Sequence, residues 1–331
     1  MVGERSCVPY VLDAQNPDGG WGFSPGLESR VEPTSWALLA LHEISQSKPG
    51  EITPPSYALA SGETEARAHE AAARGFGFLE KVQLADGSWP SAAGQVAGSW
   101  VTSLACWALL ARGDSSPKLE RGIRWLDEVK PGDAQFMWRF ARGVIALASR
   151  QRVNAQSDSY WGWSWTEGTA SWVEPTAQAL IVLRIARAAS SSRENQQRQE
   201  LAEKMLYDRM CPGGGWNCGN PMVYGVPGEP LVGPTVWALL ALRPHAERQE
   251  NQLSLAWLAQ NWTNIQSPAS LALASIGLQA YGRQIPEIRA ALETLYAKDE
   301  SALTVPVAAW TALALSGKMK WLNLAMPGKT G

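Results

Sequence analysis

Apolar residues crowd into segments of helical length: Pro33–Gln46, Trp100–Arg112, Met137–Arg150, Pro175–Ala189, Pro234–His245, Pro268–Tyr281 and Pro306–Gly317. Leu and Ala fill most of their faces, as expected of buried helices. Between them, Glu63–Val82, Lys118–Val129, Arg193–Met210, Gln249–Trp262 and Pro286–Lys298 place apolar residues at helical spacing with Arg, Glu and Gln opposite. That pattern predicts helices with one solvated side. Arg5–Ala14 adds one more short outer helix. Pro33, Pro175, Pro234, Pro268 and Pro306 stand at or near the first residue of an apolar segment. Proline there loses no hydrogen bond and presets φ, so it marks a helix start. No strand alternation runs for a useful length. Lys48–Ser61 and Asn217–Pro234, rich in Pro and Gly, read as loops.

The pattern is also a repeat. Trp-Ala-Leu-Leu-Ala recurs at Trp36–Ala40, Trp107–Ala111 and Trp237–Ala241, each time after a Gly- and Trp-bearing loop. Those loops are Asp18-Gly19-Gly20-Trp21, Asp86-Gly87-Ser88-Trp89 and Gly213-Gly214-Gly215-Trp216; a fourth, Tyr160-Trp161-Gly162-Trp163, leads to Thr176–Leu180. One helix-pair unit is therefore reused along the chain. The repeat stays in phase across both loops, which predicts a single domain over residues 1–331. Alternating buried and amphipathic helices close as an open solenoid or as a ring. About six pairs, with almost no polar face left on the inner helices, favour the ring. The predicted fold is all-α, an (α/α)6 toroid of alternating inner and outer helices.

Composition narrows the partners. Across 331 residues, 29 Lys and Arg balance 31 Asp and Glu, with no basic stripe, so nucleic acid is not an expected partner. Cys7, Cys106, Cys211 and Cys218 are scattered, which suits reduced thiols in a cytoplasm. Neither a signal peptide nor a run of apolar residues long enough to span a bilayer is visible, so a cytoplasmic protein is expected, with peripheral membrane contact left open. Seventeen tryptophans against five phenylalanines is unusual, since a buried indole N–H wants a partner.

Arg74-Gly75-Phe76-Gly77-Phe78-Leu79-Glu80-Lys81-Val82-Gln83-Leu84-Ala85-Asp86-Gly87-Ser88-Trp89 joins a basic residue and Gly to an aromatic, a Gln and a Gly-x-Trp. Gln15-Asn16-Pro17-Asp18-Gly19-Gly20-Trp21 repeats its second half. This resembles the QW repeat of the squalene–hopene cyclases and the wider prenyltransferase and squalene-oxidase repeat family, over about residues 5 to 316. The resemblance implies an (α/α)6 toroid with a deep apolar cavity that receives isoprenoid chains. In physical terms Gln15 and Gln83 end outer helices where an amide can satisfy orphan backbone groups, while Trp21 and Trp89 pack over the link. These residues read as clamps between neighbouring units.

The resemblance also sets two chemical tests. Class II cyclases of the family protonate an alkene or epoxide with the middle Asp of an Asp-x-Asp-Asp-Thr run at an inner-helix start. Here the comparable runs are Arg30-Val31-Glu32-Pro33-Thr34 and Trp172-Val173-Glu174-Pro175-Thr176. Register on the threonine puts Glu32 or Glu174 where the acid would be, with the flanking carboxylates replaced. The structural alternative is that each Glu complements a helix dipole, worth about 0.3–1 kcal/mol. Protein prenyltransfer instead uses zinc held by Asp, Cys and His. The equivalent starts carry Thr34, Thr176 and Thr235 without thiolate or imidazole, Cys211 and Cys218 lack usual zinc spacing, and no metal or other cofactor is expected.

Trp36, Trp100, Trp138, Trp172, Trp237 and Trp310 are candidates for lining a cavity, where aromatic faces could hold a carbocation. The alternative is that they fill the space between helices. Tyr160, Trp165 and Tyr224 lie in the loops before inner helices, where they would rim a mouth. The leading expectation is a terpenoid cyclase-like isomerase acting on a polyprenyl, squalene-type substrate, with an isoprenoid or other apolar small molecule as ligand. Two rivals remain: a non-catalytic toroid binding isoprenoid or protein, and an α/α-toroid carbohydrate-active enzyme with stacking tryptophans and paired carboxylates. Oligomeric state is not legible.

Overall fold

The computed structural model describes residues 7–45, 62–135, 156–157, 159–186, 193–298 and 303–323. The predicted helix Met137–Arg150, with Trp138, and the loop Lys48–Ser61 lie outside the described residues. The α-helices in chain order are α1 (Cys7–Asp13), α2 (Val31–Ser45), α3 (Gly62–Val82), α4 (Val101–Ala111), α5 (Pro117–Glu128), α6 (Val173–Ala186), α7 (Arg193–Asp208), α8 (Val232–Leu242), α9 (Gln249–Asn261), α10 (Pro268–Ala280), α11 (Pro286–Lys298), α12 (Val305–Ser316) and α13 (Lys320–Asn323). Among the described residues none of them is long and apolar enough to cross a membrane.

The contacts divide the chain into two compact units, Met1–Gly122 with Asn264–Leu324, and Ile123–Thr263 with Ala325–Gly331. In the first, α10 packs on α12, α12 on α2 and α2 on α4, so the last long helix lies against the first long one. Helices α11, α1 and α3 pack against members of this row. In the second, α6 packs on α8, with α7 against α6 and α9 against α8. Burial follows the sequence pattern. All of α4 except Leu110 is buried, and all of α2 except Glu32, His42 and Ser45. The covering helices bury one side, as in α9, whose buried residues are Asn251, Ser254, Leu255 and Leu258.

A tryptophan–threonine clamp, built four times, joins the inner helices α2, α4, α6 and α8 to the loops before them. The backbone N–H groups of Trp21, Trp89, Trp163 and Trp216 donate to the hydroxyls of Thr34, Thr102, Thr176 and Thr235 at 2.8 to 2.9 Å. Each hydroxyl donates back to the carbonyl of the same Trp. The indole N–H groups donate to the carbonyls of Val11, Leu79, Leu126 and Leu206 at 2.6 to 2.8 Å, so no buried indole donor is left over in the clamp. Gln15 Nε2 donates to the carbonyls of Gly19 and Ala71, and Gln83 Nε2 to those of Gly87 and Lys118, all at 2.8 Å. Gly19, at φ +88°, passes so close to α3 that a Cβ would sit 2.5 Å from the Arg74 carbonyl oxygen. Only glycine fits a positive φ at that approach.

Three helices start earlier than the prolines suggest. Pro33, Pro175 and Pro234 are the third residues of α2, α6 and α8. The first four N–H groups of a helix have no intrahelical partner, so proline is tolerated throughout the first turn. Glu32 and Glu174 therefore lie inside the first turn as second residues. The Asn217–Pro234 loop also carries a two-stranded hairpin, β1 (Met222–Val223) with β2 (Val226–Pro227), too short to leave an alternation in the sequence. Its turn residues Tyr224 and Gly225 both have positive φ, the geometry of a tight hairpin.

Candidate active site

The start of α6 gathers the groups with chemical potential. Trp172 N–H donates to the Trp163 carbonyl at 3.0 Å and Val173 N–H to the Cys218 carbonyl at 3.2 Å, so the approach to α6 is tied on both sides. One residue on, Glu174 is half-buried, and burial pushes its carboxyl up from 4.5 to about 7. Removing water from around a carboxylate disfavours the charged form, which opposes the pull of the helix dipole on the same group. Here desolvation wins. Cys218 lies close enough for Glu174 to push the thiol further up, after burial.

Beneath this segment lies a buried polar network. Asp133 Oδ1 accepts from the Ser171 hydroxyl at 2.9 Å, and Oδ2 from Ser171 N–H at 3.1 Å and from Arg209 Nη2 at 3.3 Å. Arg209 Nη1 also donates to the Ser171 carbonyl. Asp133 and Arg209 are 8% and 4% exposed, so their ion pair lies inside the fold. Gly162 N–H donates to the Ser171 hydroxyl at 2.9 Å, and Gln156 Nε2 bridges the Gly219 carbonyl and Asn220 Oδ1. Beside it, buried Arg198 stacks on the rings of Trp161 and Trp163, 3.9 and 3.7 Å from their centroids, and donates to the Gly162 carbonyl at 2.7 Å. Burial pulls its guanidinium below the usual range, an effect that Asp133 opposes.

The aromatic candidates fall into different settings. Trp36 is 1% exposed and meets Trp107 and Trp310 edge-on at 6.1 and 5.6 Å, while Trp107 packs on Trp321 at 5.1 Å. These rings form one cluster among α2, α4, α12 and α13, in which Trp310 is half-buried. Trp237 is 2% exposed in α8. Trp100, just before α4, and Trp172, just before α6, are half-buried, as are Tyr160 and Trp165 in the loop before α6. Tyr224 is 74% exposed on the hairpin turn. Glu32 is half-buried in the first turn of α2, the position that Glu174 holds in α6. Among the described residues no three or more His, Cys, Asp or Glu side chains come together in a way that could hold a metal ion.

The Asp133–Ser171–Arg209 network was missed in the sequence, because it joins a turn, a loop and a helix end across 76 residues without any motif. Thr102, by contrast, stands 13 residues after Trp89, the spacing of Trp21 to Thr34. That interval was available as a signal.

No family model matches the sequence, and no curated protein matches it. Solved structures do. A variant of the type II terpene cyclase MstE from Scytonema, in complex with its substrate geranylgeranyl dihydroxybenzoate, is similar over 98% of this chain and 97% of that chain, with a TM-score of 0.58 at 13% identity. Another MstE variant, in complex with its product merosterolic acid A, is similar over 98% of this chain and 96% of that one, with a TM-score of 0.56 at 13% identity. An alpha-amylase from Clostridium perfringens gives a TM-score of 0.56 at 11% identity, over 96% of this chain and 98% of that one. At these identities the likeness shows the fold alone: the all-α class with alternating inner and outer helices is shared with these proteins.

Proposed function

We propose that this protein is a terpenoid cyclase-like enzyme that protonates an alkene of a polyprenyl substrate, with Glu174 as the acid. The observation that carries the reading is a carboxyl at an inner-helix start that burial pushes up to about 7. A proton donor to carbon must hold its proton at working pH and release it on demand, so a value near neutrality suits the task. The O–H of Glu174 would protonate one carbon of a terminal trisubstituted double bond, leaving a tertiary cation and the Glu174 carboxylate. The next double bond attacks that cation and closes a ring, and a final loss of a proton restores the alkene and the acid. No redox step or metal enters. Trp172, Tyr160 and Trp165, half-buried on the approach to α6, are the proposed aromatic contacts for a cationic chain.

The sequence motif and the fold shared with cyclases that bind prenylated ligands support the substrate class. Glu32, in the same register on α2, is the alternative donor. A carbohydrate-active reading requires a second free carboxylate facing the acid. In this unit Asp133 is already committed to Arg209 and Ser171. The test is incubation of the purified protein with squalene and with geranylgeranylated aromatic acids, followed by mass spectrometry. Ring-bearing isomers of unchanged mass are expected, reduced at least about 100-fold in Glu174→Gln. No product from any polyprenyl substrate, with Glu174→Gln and wild type alike, would move the protein to the binding-only reading.

A further inference from the structure

The four inner helices that carry the clamp fall into register on its threonine. Two residues beyond Thr34, Thr102 and Thr235 stand Trp36, Leu104 and Trp237, all buried. Two residues beyond Thr176 stands Gln178, just as buried at 3% exposure. In α2 this position faces neighbouring inner helices, since the Trp36 ring meets Trp107 of α4 and Trp310 of α12. In α6 an amide therefore takes a place that the other copies fill with an apolar side chain. Its Oε1 has no hydrogen-bond partner among the described residues. A buried amide carbonyl left unpaired weakens a fold, whereas an apolar side chain of the same size does not.

Gln178 also stands one helical turn after Glu174. Residues four apart share a helix face, with about 5–6 Å between Cβ atoms, and long helical side chains lean back towards the N-terminus. Gln178 thus carries its amide over the turn that holds Glu174. The residue four after Glu32 is Trp36, so of the two candidate acids Glu174 alone has an amide in that place. We propose that Gln178 is a second catalytic residue, its amide carbonyl set one turn from the proton donor to stabilise the carbocation that protonation leaves. The proposal rests on the reading of Glu174 as the acid. A carbonyl committed to a protein donor would have to give up that bond as the charge appears. An unpaired one turns its negative end to the cation at little cost, because the terminal torsion of Gln is soft. The neutral polyprenyl gains little from it and the cation much, which is the difference that lowers a barrier. No bond forms to Gln178. Being neutral, it leaves burial as what raises Glu174.

The test measures binding of N,N-dimethyldodecylammonium, whose dimethylammonium end copies the shape and charge of a terminal tertiary cation. Tryptophan fluorescence follows it below the concentration at which the amine self-associates. The background is Glu174→Gln, where no carboxylate remains at that position to pair with the ammonium. Adding Gln178→Met, similar in size but apolar, is expected to weaken this binding at least about tenfold and to leave binding of the uncharged methyl dodecyl ether unchanged. In the otherwise wild-type protein, Gln178→Met is expected to raise the urea midpoint, because an unpaired buried group has gone, while polyprenyl turnover falls about 10- to 100-fold. A lowered midpoint would show that the amide is satisfied in the fold. Ammonium binding that is absent, or equal with and without Gln178, would show that the amide meets no cation. Either result overturns the proposal. If wild type turns over no polyprenyl, the acid reading fails by itself, and a tenfold loss of ammonium affinity would still place Gln178 against a bound cation.

Discussion

Replacing Glu174 by Gln removes a titratable proton while keeping size and shape, so it separates the burial of a charge from the burial of a side chain. Folding moves this carboxyl from 4.5 to about 7. That step corresponds to roughly 3 kcal/mol if the whole perturbation is felt, and to about 1–3 kcal/mol once the half-exposed setting is allowed for. The sign follows from proton linkage. Below about pH 4.5 Glu174 is protonated in both folded and unfolded chains, and the two proteins are alike in this respect. As pH rises towards 7 the unfolded chain ionises while the folded one resists, so wild type loses stability relative to the variant. Above pH 7 the full penalty is present. Glu174→Gln is therefore expected to be the more stable protein at pH 8, with the advantage gone near pH 4.5. Glu43, also raised by burial, titrates in both and cancels. Urea unfolding followed by tryptophan fluorescence and circular dichroism at both pH values measures the difference. An advantage of equal size at both would show that Glu174 ionises normally in the fold, and the reasoning would fail.

The clamp and the helix contacts give two further expectations. Thr102→Val keeps the shape but leaves the buried Trp89 N–H without its acceptor, which should cost about 2–3 kcal/mol of unfolding free energy, and Thr34→Val should cost a similar amount; a loss below about 0.5 kcal/mol in both would mean that water or a shifted loop replaces the hydroxyl. Gly75→Ala on α3 would place a Cβ 2.6 Å from Trp21 Cζ3 and should destabilise by about 1–3 kcal/mol, whereas Gly77→Ala, two residues on and facing open space, should stabilise by about 0.5–1 kcal/mol. Denaturation midpoints of the pair decide it, and like-signed effects would contradict the packing.

What could be read in advance was what repeats or is periodic. The apolar stretches Trp100–Arg112 and Pro268–Tyr281 became α4 and α10 within a residue at each end, because nearly every side chain in them is buried and the pattern leaves little choice. Gln15, Gln83, Trp21 and Trp89 occupy the linking positions because their partners are local carbonyls a fixed number of residues away. Chemistry that depends on distant neighbours was not legible. Nothing near Asp133 announces Arg209, and nothing in Glu-Pro-Thr says whether desolvation or the helix dipole governs Glu174. Thr235 obscured the clamp for a related reason: the hairpin Met222–Pro227 lengthens its interval from Trp216 to 19 residues.

Turnover of a polyprenyl substrate in deuterium oxide addresses the proposed chemistry most directly. A carboxyl that exchanges with solvent and then protonates a terminal double bond leaves one deuterium on that carbon of the cyclic product, located by mass spectrometry and carbon NMR. With wild type we expect this label in product, and with Glu174→Gln we expect both label and product to vanish. Cyclic product lacking deuterium at that carbon, or full turnover by Glu174→Gln, would contradict the account.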